Sequence, residues 1–143
     1  KRPETAVDFP WHQDNGYTFI EPQAYLTCWV ALTDTDETNG CPCVVPGLHR
    51  NGTLHHETTD LGYEIPLDSS ESITLPLKAG SIAVFSSLTP HRTGPNLSNG
   101  IRKSYILQYA PEGAKRLISH TLTEDVNDES RQFFILKDGL TQS

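Results

Sequence analysis

The sequence predicts an all-β fold, a sandwich or barrel of short strands. Two observations carry this. Ten glycines and ten prolines punctuate short apolar runs, and those runs are rich in aromatic and β-branched residues. A third agrees with them: no stretch of about twelve residues shows the helical repeat of apolar positions.

Taken in order, residues 6–14 read as a strand. Residues 24–33, Ala-Tyr-Leu-Thr-Cys-Trp-Val-Ala-Leu-Thr, read as a second. Asp34 to Thr38 is an acidic loop, and Asn39-Gly40 supplies a tight turn. Cys41 to Val45 is a short strand stopped by Pro46-Gly47. Residues 49–72 are polar without a clear period, and predict a long surface loop or lid. Residues 73–77, 81–86 and 101–109 read as strands, separated by Ala79-Gly80 and by the turn from Gly94 to Gly100. Residues 121–131 suggest a short helical turn, and Gln132 to Leu136 a last strand. There are no internal repeats. Strand content alone leaves a jelly roll and an immunoglobulin-like sandwich both open, but the Cys-Trp-Cys spacing of the latter is absent.

The 143 residues suffice for one domain, taken as 1–143. A net charge of -7 supplies no basic face for a nucleic acid. No apolar run reaches the roughly 18 residues of a membrane span, and Lys1-Arg2-Pro3-Glu4-Thr5 lacks the apolar stretch of a signal peptide. The expected location is the cytoplasm. The cysteines, Cys28, Cys41 and Cys43, are odd in number and form no C-x-x-C, which argues against a disulfide framework or a Cys-rich zinc site and for a reducing compartment. His12 comes so early that little precedes its strand. The chain is therefore expected to be part of a longer polypeptide. Thr141-Gln142-Ser143 is not a peroxisomal tripeptide.

The chemistry centres on His12-Gln13-Asp14. On an extended strand, residues i and i+2 share a face, so one imidazole and one carboxylate converge. His91 could complete a set of two histidines and one carboxylate, the facial triad of non-haem Fe(II) oxygenases, which leaves the remaining metal positions open. Arg102, expected to begin the next strand, suits a bidentate grip on a dicarboxylate. Thr93, two residues beyond His91, and Thr27 with Trp29 on one strand face could line the same pocket. His55 and His56 are adjacent and would point to opposite faces. His49 reads as a loop residue and His120 as solvated. The 51–72 segment, with Gln13, Tyr17 and Tyr25, is expected to shape substrate entry.

These residues also carry a family resemblance. Trp11-His12-Gln13-Asp14, Cys28-Trp29-Val30-Ala31-Leu32, Asn39-Gly40-Cys41, Pro46-Gly47-Leu48-His49-Arg50, His91-x-Thr93-Gly94 and Gly100-Ile101-Arg102-Lys103 follow in order. The chain resembles the phytanoyl-CoA dioxygenase family of Fe(II)- and 2-oxoglutarate-dependent oxygenases over about residues 8 to 112. The resemblance implies a double-stranded β-helix, a cupin-like jelly roll, here without the family's N-terminal helical region. It implies His12, Asp14 and His91 on iron, and Arg102 on the 2-oxoglutarate C5 carboxylate. It places Thr93 and Thr27 as hydroxyls assisting that carboxylate, and Trp29 beside it. The implied cosubstrates are 2-oxoglutarate and dioxygen. The implied reaction is decarboxylation of 2-oxoglutarate to succinate and carbon dioxide, coupled to hydroxylation of a small molecule's C–H bond. Halogenating relatives replace the ligand carboxylate by a small residue; Asp14 favours hydroxylation. Two other readings use the same side chains: a non-catalytic jelly-roll binding module, and a zinc hydrolase with three protein ligands and a bound water.

Overall fold

Two antiparallel sheets hold the centre of the molecule. The computed structural model describes the whole chain except residues 24, 69, 129, 131–133 and 143. In chain order the elements are β1 (Phe9–His12), the helical turn α1 (Asp14–Tyr17), β2 (Ile20–Glu21), β3 (Leu26–Ala31) and β4 (Pro42–Val44). A 3-10 turn (Leu48–Asn51) precedes β5 (Glu57–Thr59), β6 (Gly62–Glu64), β7 (Ile73–Thr74), β8 (Ile82–Ser86) and β9 (His91–Thr93). β10 (Ser104–Tyr109), β11 (Lys115–Leu117), β12 (Thr123–Asp125), β13 (Leu136–Lys137) and β14 (Leu140–Thr141) complete the order.

One sheet runs β1-β9-β4-β7 and the other β10-β3-β8, with β12-β11-β2 as a smaller third. Alternation along the strands decides what each face carries. In β3, Thr27, Trp29 and Ala31 are buried while Leu26 is exposed and Cys28 and Val30 are half-buried. In the first sheet, Trp11 and Cys43 turn to one face and pack with Val45 and Ile65. The Arg92 guanidinium lies 5.2 Å over the Trp11 ring on that side. His12 and His91, one residue out of phase with Trp11 and Arg92, turn to the other face. There they meet Thr27 and Trp29 of the second sheet across a shared cavity. The cavity therefore lies between the two sheets.

Gly40 shows how tightly the turns close this frame. Its φ is +83°, and a Cβ there would lie 2.3 Å from the Gly94 carbonyl oxygen. Only glycine allows both the backbone conformation and the approach. Asp36 organises the same turn by accepting from the Thr38 amide at 2.8 Å and the Thr38 hydroxyl at 2.6 Å.

Most predicted strands form, though shortened at their ends. Three expectations change. Residues 49–72 are not structureless: they hold the 3-10 turn and the β5–β6 hairpin. The hairpin turn is closed by the Thr59 hydroxyl, which donates to the Gly62 carbonyl and accepts from the Leu61 amide. Three-residue strands are too short to display a period. Within 121–131, residues 123–125 form a strand rather than a helical turn. Opposite charges stand in register there, Lys115 with Asp125 and Arg116 with Glu124, and such cross-strand pairs support a ladder. Of the strand expected over Gln132 to Leu136, residues 132 and 133 lie outside the described residues, and Leu136 pairs with Thr141. Arg102 does not begin a strand; β10 starts two residues later.

Candidate metal centre and cosubstrate cavity

His12 closes β1 and Asp14 opens α1, so the two do not share one strand. Their convergence survives because Gln13 between them is extended, at φ -111° and ψ 140°. His91 stands opposite His12 in the ladder, with ring centroids 4.2 Å apart. Both Nε2 atoms lie 3.7 Å from Asp14 Oδ1. Among the described residues, His12, Asp14 and His91 form the group whose ligand atoms all lie within 4.8 Å of one another.

The tautomers are set by the backbone. His12 Nδ1 is 2.8 Å from the Pro10 carbonyl and His91 Nδ1 is 2.9 Å from the Thr89 carbonyl. A carbonyl only accepts, so in the neutral ring each Nδ1 carries the proton and each Nε2 presents a lone pair. This is the arrangement that orients metal-binding histidines. Burial, reinforced by the neighbouring His12, pushes His91 down to about 4, so it stays neutral at physiological pH. Burial pushes the Asp14 carboxyl up, but His12 and His91, wherever either carries a second proton, and the Thr27 hydroxyl prevail and hold it below its ordinary value. Two imine nitrogens and a carboxylate oxygen then face one point, all of them acceptors. At 3.7 Å no hydrogen bond joins them, and a cation between them satisfies all three.

Thr27 refines the carboxylate. Its hydroxyl donates to Asp14 Oδ2, leaving Oδ1 toward the imidazoles. The resemblance would spend this hydroxyl on the dicarboxylate; here its one proton is committed to Asp14. Thr27→Val is expected to lower metal affinity about 10- to 100-fold, the usual cost of losing a bond that orients a ligand. Anaerobic metal titration checks this, and an unchanged affinity would remove Thr27 from the site.

Arg102 is 6% exposed. Its Nη1 donates to Ser104 Oγ at 2.9 Å, and its Cζ lies 5.3 Å from the Trp29 ring centroid. Its Nε is buried without a partner. Burial lowers its pKa, yet a guanidinium remains charged. Among the described residues no carboxylate pairs with it. An unpaired buried cation is costly and calls for an anion. A cavity of about 320 Å³ connects Arg102 to His12, Asp14 and His91 and is also lined by Thr27, Trp29 and Thr93. The structure thus brings all seven predicted site residues to one space.

Phe9, Tyr17, Ser104 and Ile106 line it too. Ser104 and Ile106 follow Arg102 at two-residue steps, a signal the strand period offers. Other expectations move. Gln13 is fully buried, not at an entrance: its Nε2 donates to the Gly52 and Leu88 carbonyls and its Oε1 accepts from the Leu54 amide. Gln13→Ala leaves three backbone groups unpaired and is expected to cost about 3 kcal/mol of stability, measurable by urea denaturation. A loss below about 1 kcal/mol would contradict this. Tyr25 packs away from the cavity, with Ile20 and Ala114. His56 accepts from the Gln13 amide at 3.1 Å, while His55 and His120 are exposed and His49 is half-buried in the 3-10 turn.

Fold and site together define a β-sandwich with a two-histidine, one-carboxylate centre and a buried arginine in the same cavity. The family model described as phytanoyl-CoA dioxygenase (PhyH) matches residues 1–104. The chain belongs to this family. It is 30% identical over 113 residues to phytanoyl-CoA dioxygenase of Arabidopsis thaliana, covering 75% of this chain and 40% of that protein. The crystal structure of EvdO2 from Micromonospora carbonacea var. aurantiaca complexed with 2-oxoglutarate superposes with a TM-score of 0.69 at 27% identity, over 90% of this chain and 51% of that one. The epimerase SnoN in complex with Fe3+, alpha ketoglutarate and nogalamycin RO superposes with a TM-score of 0.64 at 27% identity, over 78% and 45% of the two chains. The fold is accordingly the jelly-roll core of 2-oxoglutarate oxygenases. The chain spans about two-fifths of the length of the curated relative and about half of the EvdO2 chain.

Proposed function

We propose that this chain is the iron- and 2-oxoglutarate-binding domain of an oxygenase that hydroxylates a C–H bond of a small organic molecule. The observation that carries this is Arg102, a buried cation without an acidic partner among the described residues, sharing a cavity with three converging acceptors.

His12, Asp14 and His91 would hold Fe(II), and the iron supplies the place where dioxygen is activated against 2-oxoglutarate. The protein's own work is positional. The Pro10 and Thr89 carbonyls fix the imidazoles. Thr27 engages one oxygen of Asp14, so the carboxylate would offer the other, Oδ1, to the iron. Arg102 would pair with the far carboxylate of 2-oxoglutarate, with Ser104 holding Nη1 and the Trp29 ring packed against the guanidinium. Thr93 lines the cavity and is placed to add a hydroxyl there. Asp14 favours hydroxylation over halogenation.

Among the described residues no helix is long and apolar enough to cross a membrane. Three free cysteines support a reducing, cytoplasmic setting.

Anaerobic addition of Fe(II) and 2-oxoglutarate is expected to give a weak visible charge-transfer band, and admission of oxygen to release succinate. Failure of both sinks the proposal; activity restored by Zn(II) and not by Fe(II) would replace it with a hydrolase.

A further inference from the structure

We infer that Phe9, Tyr17 and Tyr63 form an aromatic platform that binds a flat, apolar ring system of the primary substrate beside His12. The inference rests on the iron and 2-oxoglutarate assignment above and adds a substrate class to it.

Phe9 and Tyr17 stack with centroids 6.2 Å apart and planes 25° apart. Tyr63 lies 5.1 Å from Tyr17 with its plane tilted by 59°, so it forms a side wall to the stacked pair. Phe9 and Tyr17 both meet the His12 ring edge-on, at 4.5 and 5.4 Å, so the platform begins at the metal-facing side of the cavity. The three rings are not core: Phe9 is 41% exposed, Tyr17 42% and Tyr63 41%. Contiguous exposed aromatic surface at the edge of a cavity with a few convergent polar groups marks a place for a ligand.

The hydroxyl of Tyr17 is already spent. It donates to the Tyr63 carbonyl at 3.2 Å and accepts from the Tyr63 amide at 3.0 Å. Tyr17 therefore offers a substrate its ring, not a hydrogen bond. The same pair of bonds fastens the β5–β6 hairpin beside the cavity and sets Tyr63 in place. Gly62 permits this closeness: its φ is +113°, and a Cβ there would lie 2.6 Å from the Tyr17 hydroxyl oxygen. Ile106 adds an apolar surface on the β10 side of the cavity. Ring-face contacts and an aliphatic wall select an aromatic or similarly flat apolar group.

The test uses the intact protein loaded anaerobically with Fe(II) and 2-oxoglutarate, with 2-naphthylmethanol as probe and cyclohexylmethanol as its non-aromatic counterpart. The naphthyl probe is expected to bind about tenfold more tightly and to perturb the charge-transfer band. Tyr63→Ala and Phe9→Leu are each expected to weaken it about three- to tenfold, and Tyr63→Ala, outside the cavity lining, should leave the 2-oxoglutarate Kd unchanged. Tyr109→Ala, an exposed tyrosine outside the cavity, should leave it as it is. An intact band in each variant shows that the site has folded. Equal binding of the two probes, or Tyr63→Ala and Phe9→Leu both without effect, overturns the platform. A platform response in a protein that shows no band would keep this inference and remove the iron assignment.

Discussion

Asp14→Ala is expected to lower Fe(II) affinity by more than about a hundredfold, since even bonds that merely orient a ligand are worth 10- to 100-fold. Asp14 is the one carboxylate in the cluster, and both imidazole Nε2 atoms stand 3.7 Å from its Oδ1. Without it, two neutral nitrogens must hold the ion. Succinate release should vanish with metal binding. The metal-free protein should melt within a few degrees below the parent, because Asp14→Ala removes the hydrogen bond from Thr27 together with the opposing cost of burying a carboxylate. Metal titration by anaerobic calorimetry, beside a thermal melt with chelator, checks both halves. Retained Fe(II) affinity would sink the three-ligand assignment, and so would retained oxygenase activity.

Arg102→Met is the second large effect. It should weaken 2-oxoglutarate binding by about 2 to 5 kcal/mol, the range for losing one partner of a buried charge pair. Fe(II) affinity should hold, which separates this variant from Asp14→Ala. Arg102→Lys should recover only part of the loss, because an ammonium cannot reproduce the planar fork. The sign for the empty protein is opposite. A buried guanidinium without a carboxylate partner is a cost in the absence of cosubstrate, so Arg102→Met is expected to melt no lower than the parent when no 2-oxoglutarate is present. A Kd for 2-oxoglutarate that does not move, read from the charge-transfer band, would take the dicarboxylate away from Arg102.

The convergence of His12, Asp14 and His91 was legible in the sequence because spacing and residue type both mattered. His12 and Asp14 stand two apart, and an extended Gln13 is enough to bring them together whether or not a strand continues through Asp14. Arg102 stood out as a cation between a glycine-bounded turn and a run of strand formers. Less legible was anything that depends on where a single proton goes. Nothing in the order of residues says that the Thr27 hydroxyl serves Asp14. Gln13 was misplaced for a related reason: its polarity suggested an entrance, while three backbone partners distant in sequence allow it to be buried. Tyr25 went inward because Ile20 and Ala114, not its immediate neighbours, supply its packing. The β5–β6 hairpin was missed because its strands are three residues long, and β12 because its stability lies in charges paired across from Lys115 and Arg116. Local patterns record alternation well and distant partners hardly at all.

Gln13 sits between two of the three metal-facing residues, and its side chain is bolted to the 52–54 segment and to Leu88. A residue in that position cannot shift without carrying His12 and Asp14 with it. The stretch before the β5–β6 hairpin and the metal centre are thus coupled as one mechanical unit. Loading with iron should slow amide exchange at Leu54, whose N–H ends on the Gln13 side chain, although that amide belongs to no ligand. Conversely, loosening the 52–54 stretch should make the centre leak its ion faster. In kinetic terms, the lifetime of a metal held there would be set partly by a loop that never touches it.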